Sequence, residues 1–209
     1  MASATIHLAI AKRVKEKGKL KIDNEKDYYL GAIAPDIAKQ IGTSRNESHF
    51  IFNTREDIPN LKLFIKRYPT FKYNSFNLGY YTHLYADKAW IEEVYDNIVC
   101  NSSIKLLDGT TIKTTYEEMM NMIYSDYTNL NIELIDQYNL DLSLFYEDFQ
   151  VPDTSIIEIP IDKLDILINK MGLIIENTKV EKAYTFDMQL VNEYIEKVSD
   201  EIIKELKKY

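Results

Sequence analysis

The segment between Asn74 and Val99 constrains the fold more than any other part of this 209-residue chain. It reads NSFNLGYYTHLYADKAWIEEVYDNIV, contains no proline, and carries apolar or aromatic side chains on almost every face of a helix. A helix that is hydrophobic all round is usually buried among other helices. The segment therefore predicts one long helix at the centre of a bundle.

Apolar residues at helical spacing and capping signals predict the helices that surround this central one. Residues 3–17 carry an apolar stripe, with Ser3 or Thr5 as the cap and Gly18 at the end. Asn24 caps a second helix over residues 24–33, which ends before Pro35. Residues 41–57 have the composition of a loop. Further helices are predicted over residues 58–68, 115–127, 129–138, 141–149, 161–176 and 185–208.

One short stretch has the pattern of β-strands. Two β-branched runs flank Asp108 and Gly109, which predicts a small hairpin near 104–113 with a type I′ turn. The predicted class is all-α, a helical bundle with this hairpin inserted. We expect a single helical domain over 1–209, with the candidate site in 1–100 and no assigned role for 101–209.

Composition and charge exclude several classes of protein. The formal net charge of −8 argues against a nucleic-acid partner, because phosphate binding favours basic surfaces. The single cysteine, Cys100, excludes an internal disulfide framework, and we expect a buried thiol there. No apolar run approaches the roughly 18 residues of a membrane span. Basic residues follow the short N-terminal apolar stretch, the wrong order for a secretory signal, so a cytoplasmic protein is expected.

The three histidines lie near acidic residues in the first half of the chain. His83 and Asp87 are four residues apart, so both side chains lie on one helical face and can reach the same ion. His49 and Asp36 can join them from loops, and His7 lies on or beside the apolar stripe of the first helix. Imidazole and carboxylate ligands together suit zinc, iron or manganese.

Each of these residues also has an ordinary interpretation. A histidine on an apolar helical face, such as His7, is more often a hydrogen-bonded core residue than a ligand. Asp36 follows a proline and can serve a turn, His49 can be an exposed loop residue, and a His-Asp pair at this spacing is common by chance. The joint pattern favours a metal site.

Four motifs occur in the order and with the approximate gaps of a known family: IHLAIA (6–11), YLGAIAPDI (29–37), ESHF (47–50) and LGYYTHLYADKAW (78–90). In these the chain resembles the zinc-dependent phospholipase C family, which shares its helical fold with the S1/P1 nucleases. The resemblance covers about the first 100 residues. The second half carries no such motif.

The resemblance implies a set of metal ligands. Asp36, His49 and His83 would bind one ion, Asp87 would bridge it to a neighbour, and His7 would bind that second ion. The family's third metal uses further histidines after this segment, and this chain has none after His83. The family's N-terminal ligand is not carried over either, because six residues precede His7. We therefore expect one or two divalent ions, zinc first, with iron or manganese as alternatives.

The function implied is a metal-dependent phosphoester or phosphodiester hydrolase, in which a metal-activated water attacks phosphorus. Its substrate would be a small phosphoester or a phospholipid, and a soluble phosphoester fits better, since no amphipathic membrane helix with a basic face is visible. One alternative is an HD-type nucleotide phosphohydrolase, although its adjacent His-Asp pair is absent, since Phe50 and Leu84 follow the histidines. Another is a degenerate, non-catalytic metal-binding interaction protein. The oligomeric state is not predicted.

Several further residues are candidates for a general base, for phosphate binding or for lining a substrate pocket. Glu47 and Glu93 are candidate general bases. Arg45 and Arg55 flank His49 and can meet a phosphate, although ordinary solvated loop charges explain them as well. Tyr80 lies on nearly the same helical face as His83 and Asp87, where it can line a pocket or pack in the core.

Overall fold

The computed structural model describes residues 2–52, 58–176 and 183–209. Most of these residues are helical, which confirms the all-α class. The α-helices are α1 (Ala4–Gly18), α2 (Glu25–Gly31), α3 (Ile37–Gln40), α4 (Arg45–Ser48), α5 (Leu61–Arg67), α6 (Ser75–Trp90), α7 (Asp96–Ile98), α8 (Tyr116–Gln137), α9 (Leu164–Glu176) and α10 (Met188–Leu206). Short 3₁₀ turns cover Ala34–Asp36, Phe71–Tyr73, Ser143–Phe145 and Ile161–Lys163, and the strands are β1 (Val99–Cys100), β2 (Ser103–Lys105) and β3 (Thr111–Lys113).

Helix α6 is the central helix that the sequence predicts. All but three of its 16 residues are buried, including the polar His83 and Asp87. Asn74 caps its start by accepting a hydrogen bond from the backbone N–H of Asn77. The helix does not continue regularly to residue 99, because a π-helical turn over Ile91–Tyr95 joins it to α7. π-Helical turns often accompany functional sites.

Two glycines bring α2 and α6 into backbone contact. A Cβ atom at Gly79 would lie 2.0 Å from the carbonyl oxygen of Tyr28, and one at Gly31 would lie 2.1 Å from the carbonyl oxygen of Phe76. A larger residue at either position would force the helices apart. The close approach places the chain that follows α2, including Ala32, directly against α6.

Helix α1 lies between α6 and α10. The hydroxyl of Tyr28 on α2 donates to the carbonyl of Ala11 at 2.9 Å. Arg13 makes a two-pronged ion pair with Glu196 on α10, with nitrogen–oxygen distances of 2.6 and 2.9 Å. The hydroxyl of Tyr194, also on α10, donates to the carbonyl of Ala86 in α6 at 2.5 Å. The first, central and last helices therefore form one packed unit.

The hairpin exists, but its turn differs from the one predicted. β2 pairs antiparallel with β3, and a short β1 adds a third strand to the sheet. The loop is closed by hydrogen bonds from Gly109 N to Leu106 O at 3.0 Å and from Leu106 N to Thr110 O at 2.8 Å. Of the loop residues only Gly109 has a positive φ, 85°, so this is a three-residue loop and not type I′. Cys100 lies exposed in β1, so the expected buried thiol is wrong.

Helix α8 is one continuous helix, whereas the sequence predicted two helices, over 115–127 and 129–138. The span contains no glycine or proline to interrupt a helix. The side chain of Asp126, inside α8, is fully buried and accepts hydrogen bonds from Tyr184 N, Thr185 N and Thr185 Oγ1 at 2.7, 2.7 and 2.6 Å. Because Thr185 donates its backbone N–H and its hydroxyl to Asp126, the last helix does not begin at residue 185 as predicted. Asp187 caps α10 instead.

Two other predicted boundaries are wrong. The helix predicted over 141–149 is only the Ser143–Phe145 turn, because the Asp141 carboxylate accepts hydrogen bonds from the backbone and hydroxyl of Ser143. The loop predicted over 41–57 contains the short helix α4.

None of the described helices is long and apolar enough to cross a membrane. The single domain over 1–209 stays a prediction.

Candidate metal centre

All five residues predicted as metal ligands lie close together inside the bundle. His7 comes from α1, Asp36 from the turn after α2, His49 from the end of α4, and His83 and Asp87 from α6. They form two groups, His7 with His83 and Asp87, and Asp36 with His49 and His83, and the ligand atoms within each group lie within 4.8 Å of one another. The second group is the set that the resemblance implies for one ion.

Asp87 contacts all three histidines. Its Oδ1 lies 3.3 Å from His7 Nε2, and its Oδ2 lies 3.4 Å from His49 Nε2 and 3.7 Å from His83 Nε2. Oδ1 also accepts a hydrogen bond from the backbone N–H of Ala2 at 3.1 Å. A carboxylate whose two oxygens face different histidines has the arrangement that a bridging ligand needs.

Hydrogen bonds on the far side of two imidazoles orient their rings. His83 Nδ1 lies 2.8 Å from the carbonyl oxygen of Ala32, which can only accept, so this nitrogen carries the proton. His49 Nδ1 lies 2.9 Å from the hydroxyl oxygen of Ser48, and that hydroxyl donates to Arg45 O. In the neutral rings, Nε2 of both residues is then a lone-pair atom that faces the cluster, as in metal-bound histidines.

The two Nε2 atoms of His49 and His83 lie 3.3 Å apart. Two lone pairs at this distance repel each other unless a proton or a cation lies beside them. The ring of His7 stacks on that of His83 with a centroid distance of 3.8 Å and an interplanar angle of 15°. Three imidazoles therefore lie in close contact around Asp87.

Some polar atoms of the cluster lack hydrogen-bond partners. Among the described residues, both ring nitrogens of His7 and the Oδ1 atom of Asp36 are buried without one. Buried nitrogen and oxygen atoms are rarely left in this state, because desolvation without a partner is costly. Unpaired imidazole and carboxylate atoms that face a shared centre fit a divalent ion.

The protonation states suit metal binding. Burial, with a contribution from His7 beside it, lowers the pKa of His83 to about 3, so its ring is neutral near pH 7. Burial opposes ionisation of Asp36, but the close contact of its carboxylate with His49, together with His83, outweighs burial and lowers its pKa to about 2. Burial likewise opposes ionisation of Asp87, yet its contact with His7, together with His83, holds its pKa well below the usual range.

Arg45 contacts the cluster, so it is not merely the solvated loop charge that the sequence also allowed. Its Nη2 lies 3.2 Å from Asp87 Oδ2, and its side chain is 28% exposed, so one end of it remains available to a ligand. Its loop partner in the prediction, Arg55, lies outside the described residues.

The other accessory candidates are not placed for their suggested roles. Tyr80 is fully buried and its hydroxyl donates to Ser48 O, so it packs in the core and does not line the pocket described next. Glu93 pairs with Lys197 on α10 at 2.8 Å, and Glu47 is exposed. Neither glutamate lines the pocket, so neither suits a general base.

A pocket of about 430 Å³ lies beside the cluster, with Asp36 and Arg45 in its wall. The opposite wall comes from α8 and α9, and two lysines, Lys39 and Lys170, also line it. Sequence reasoning missed this part of the site, because its residues come from distant helices and share no spacing. The abundance of tyrosine and methionine in α8 was the only available signal.

Comparison with known families gives one match. Residues 6–90 match the family described as zinc dependent phospholipase C. Neither a curated protein nor a solved structure matches the chain. The matched segment contains all five residues of the cluster, and the resemblance to the zinc-dependent phospholipase C family is therefore confirmed over residues 6–90.

Proposed function

We propose that this protein is a metal-dependent phosphoric ester hydrolase. The observation that carries the proposal is the convergence of His7, Asp36, His49, His83 and Asp87 on one buried centre within the family-matched segment. The ring nitrogens of His7 and Oδ1 of Asp36 support the same conclusion, because they are buried and form no hydrogen bond with any described residue. Zinc is the first choice from the family, and iron or manganese would suit the same ligands.

The five residues divide between two ions in this proposal. His83 and His49 offer Nε2 atoms whose rings are held by Ala32 O and Ser48 Oγ. Asp87 faces His7 with one oxygen and His49 with the other, so it would be the residue shared by the two ions. A bound divalent ion supplies a Lewis acid for phosphoryl oxygens and lowers the pKa of its water towards about 7.

Two charged residues of the cluster, Asp36 and Arg45, also line the pocket. Asp36 is the proposed metal ligand that reaches the pocket wall, so the cluster is open to the pocket at this residue. Arg45 lines the same wall and can donate to a phosphate oxygen. The apolar wall opposite would hold the organic part of the ester and exclude bulk water.

The test combines metal analysis with turnover. Elemental analysis of protein purified without chelator should give about one to two zinc, iron or manganese ions per chain. Bis-p-nitrophenyl phosphate should be hydrolysed, and His83→Ala should abolish both metal binding and turnover. Thr82→Ala is the matched control, because Thr82 is buried beside His83, donates to Leu78 O in its own helix and is not one of the proposed ligands. A metal-free wild-type protein would refute the proposal.

A second candidate is a metal-binding protein without catalysis. Among the described residues that line the pocket, Asp36 is the only acidic one, and it is itself a proposed ligand. A separate general base is therefore not in place. Full metal occupancy with no turnover across phosphomonoesters, phosphodiesters and phospholipids would favour this candidate.

A cytoplasmic location also remains a proposal, which cell fractionation would test.

A further inference from the structure

The pocket beside the metal centre has an apolar wall large enough for an organic substituent. α8 and α9 contribute Met120, Ile123, Leu167 and Met171, and Ile91 extends the wall at the end of α6. A volume of about 430 Å³ is at the lower end of the range for small-molecule sites. An alkyl or aryl group of several carbons would therefore be buried here.

The same pocket concentrates positive charge. Lys39 from α3, Arg45 from α4 and Lys170 from α9 all line it, and among its described residues only Asp36 has the opposite charge. Asp36 is committed to the metal cluster in the proposed function. The chain as a whole has a net charge of −8, so this local excess opposes the overall balance. Such local fields attract anionic ligands.

Neither pocket lysine has a carboxylate partner among the described residues. Lys39 donates to the hydroxyl of Tyr124 at 2.8 Å and lies 4.3 Å from the centroid of its ring. Lys170 forms no ion pair within the described part of the chain. Other lysines are neutralised by carboxylates, among them Lys12, Lys15, Lys17, Lys26, Lys88, Lys197 and Lys208. The charges of Lys39 and Lys170 are therefore available to a ligand.

We propose that the pocket selects phosphoesters whose apolar substituent carries a second negative charge, bound by Lys39 and Lys170. The second charge is a carboxylate or another phosphate, distinct from the phosphate that is hydrolysed at the metals. The reaction rests on the proposed function, but the recognition does not, because the two lysines lie outside the metal cluster. Neutral and cationic substituents of equal length bind more weakly.

The turnover test uses three chromogenic diesters that release p-nitrophenolate. The second substituent is hexyl, 5-carboxypentyl or 6-trimethylammoniohexyl, so that chain length stays nearly constant and charge changes. A hydrogen bond to a charged group changes affinity by about tenfold or more, and an exposed ion pair by only a few fold. We expect kcat/KM for the carboxylate to exceed that for hexyl by about tenfold, mostly through KM, with the cationic ester slowest.

The binding test needs no turnover. Calorimetry compares hexylphosphonate with 6-phosphonohexanoate, which adds one carboxylate at the end of the chain. The added carboxylate should tighten binding by about tenfold at low salt, and less at high salt. Lys39→Gln and Lys170→Gln should each reduce this preference several fold, and the double variant should remove it. Lys66→Gln, an exposed lysine of α5 outside the pocket, should leave it unchanged.

The outcomes separate the two proposals. If no ester is hydrolysed but 6-phosphonohexanoate binds more tightly through the two lysines, the hydrolase proposal fails and the pocket proposal stands. If all three diesters are hydrolysed at equal rates and both phosphonates bind equally, the pocket proposal is overturned. A carboxylate preference that persists in the double variant also overturns it.

A lipid or a soluble ester can present the same chemistry. Phosphatidylcholine vesicles with and without cardiolipin distinguish these sources, since cardiolipin adds a second phosphate on a membrane surface. Hydrolysis confined to the cardiolipin vesicles and the carboxylated diester supports an anionic lipid as the source. Hydrolysis of the soluble diester alone supports a free anionic ester.

Discussion

Replacing Gly79 by alanine should damage both the fold and the metal centre. The new Cβ would lie 2.0 Å from Tyr28 O and 2.8 Å from Ala32 N, where ordinary contact begins at 3.4 Å. Both neighbours are backbone atoms and cannot rotate away. The α2 and α6 backbones must therefore separate locally by more than an ångström, about 1.4 Å if the whole overlap is relieved by translation.

The expected loss of stability follows from three contributions. Overpacking of this kind typically costs about 1–3 kcal/mol, and we take the upper end because backbone meets backbone. The hydrogen bond from His83 Nδ1 to Ala32 O, now 2.8 Å, would stretch past bonding distance at a cost of about 1 kcal/mol. Alanine recovers about 1 kcal/mol as the better helix former. The net loss of about 3 kcal/mol should lower the Tm by about 6–12 °C.

The metal centre provides a second measurement. Loss of the hydrogen bond that orients a histidine typically lowers metal affinity about 10- to 100-fold. Thermal unfolding and zinc titration of Gly79→Ala would measure both effects. Gly172→Ala in α9 is the matched control, because its nearest contact is the hydroxyl of the exposed Tyr146 side chain at 2.8 Å. That variant should be neutral or slightly stabilised. Wild-type stability and zinc affinity in Gly79→Ala would refute the close-contact argument.

Three further predictions concern buried carboxylates and histidine. Asp126→Ala should lower the free energy of unfolding by about 3–5 kcal/mol in urea titrations, because it strands the N–H and hydroxyl donors of residues 184–186, and Asp126→Asn should lose less. Asp87→Asn should lose more metal than Asp36→Asn by elemental analysis if Asp87 bridges two ions, and equal losses would count against bridging. The pKa of His83 is lowered from 6.5 to about 3, so the unfolded chain binds its proton first, and metal-free protein should lose stability as the pH falls below 6.5. His83→Ala should flatten this slope in Tm measured between pH 7 and pH 4, and an unchanged slope would contradict the assignment.

Much of the first half was predictable because its signals are local. Asn24 and Asn74 are N-caps in the structure, and the all-round apolar pattern of α6 correctly indicated a buried central helix. The joint pattern of histidines and aspartates already favoured a metal site on α6, but the division into ligand sets and the place of His7 came from the resemblance, since no periodicity links residues so far apart. The contact that brings them together depends on Gly31 and Gly79, whose role no local pattern reveals.

The second half was predicted less well because tertiary contacts override its local signals. The predicted break between 127 and 129 is absent, and Asp126 is a buried acceptor for residues 184–186. Asp141 looked helical but closes a tight turn with Ser143. Lys39 and Lys170 line one pocket although they are 131 positions apart in the chain, so no sequence pattern predicts the pocket. Non-local pairing of this kind is visible only in three dimensions.

The ion pairs between α1 and α10 have a consequence for biosynthesis. His7 lies on a helix whose packing partner, α10, begins 181 residues later in the chain and so emerges from the ribosome much later. Tyr194 also reaches back to Ala86, the residue beside Asp87. While the chain is being made, α1 and α6 lack the packing that α10 provides. If the cluster holds metal as proposed, its surroundings would be complete only after α10 is made, and firm metal binding would then be a late, post-translational event.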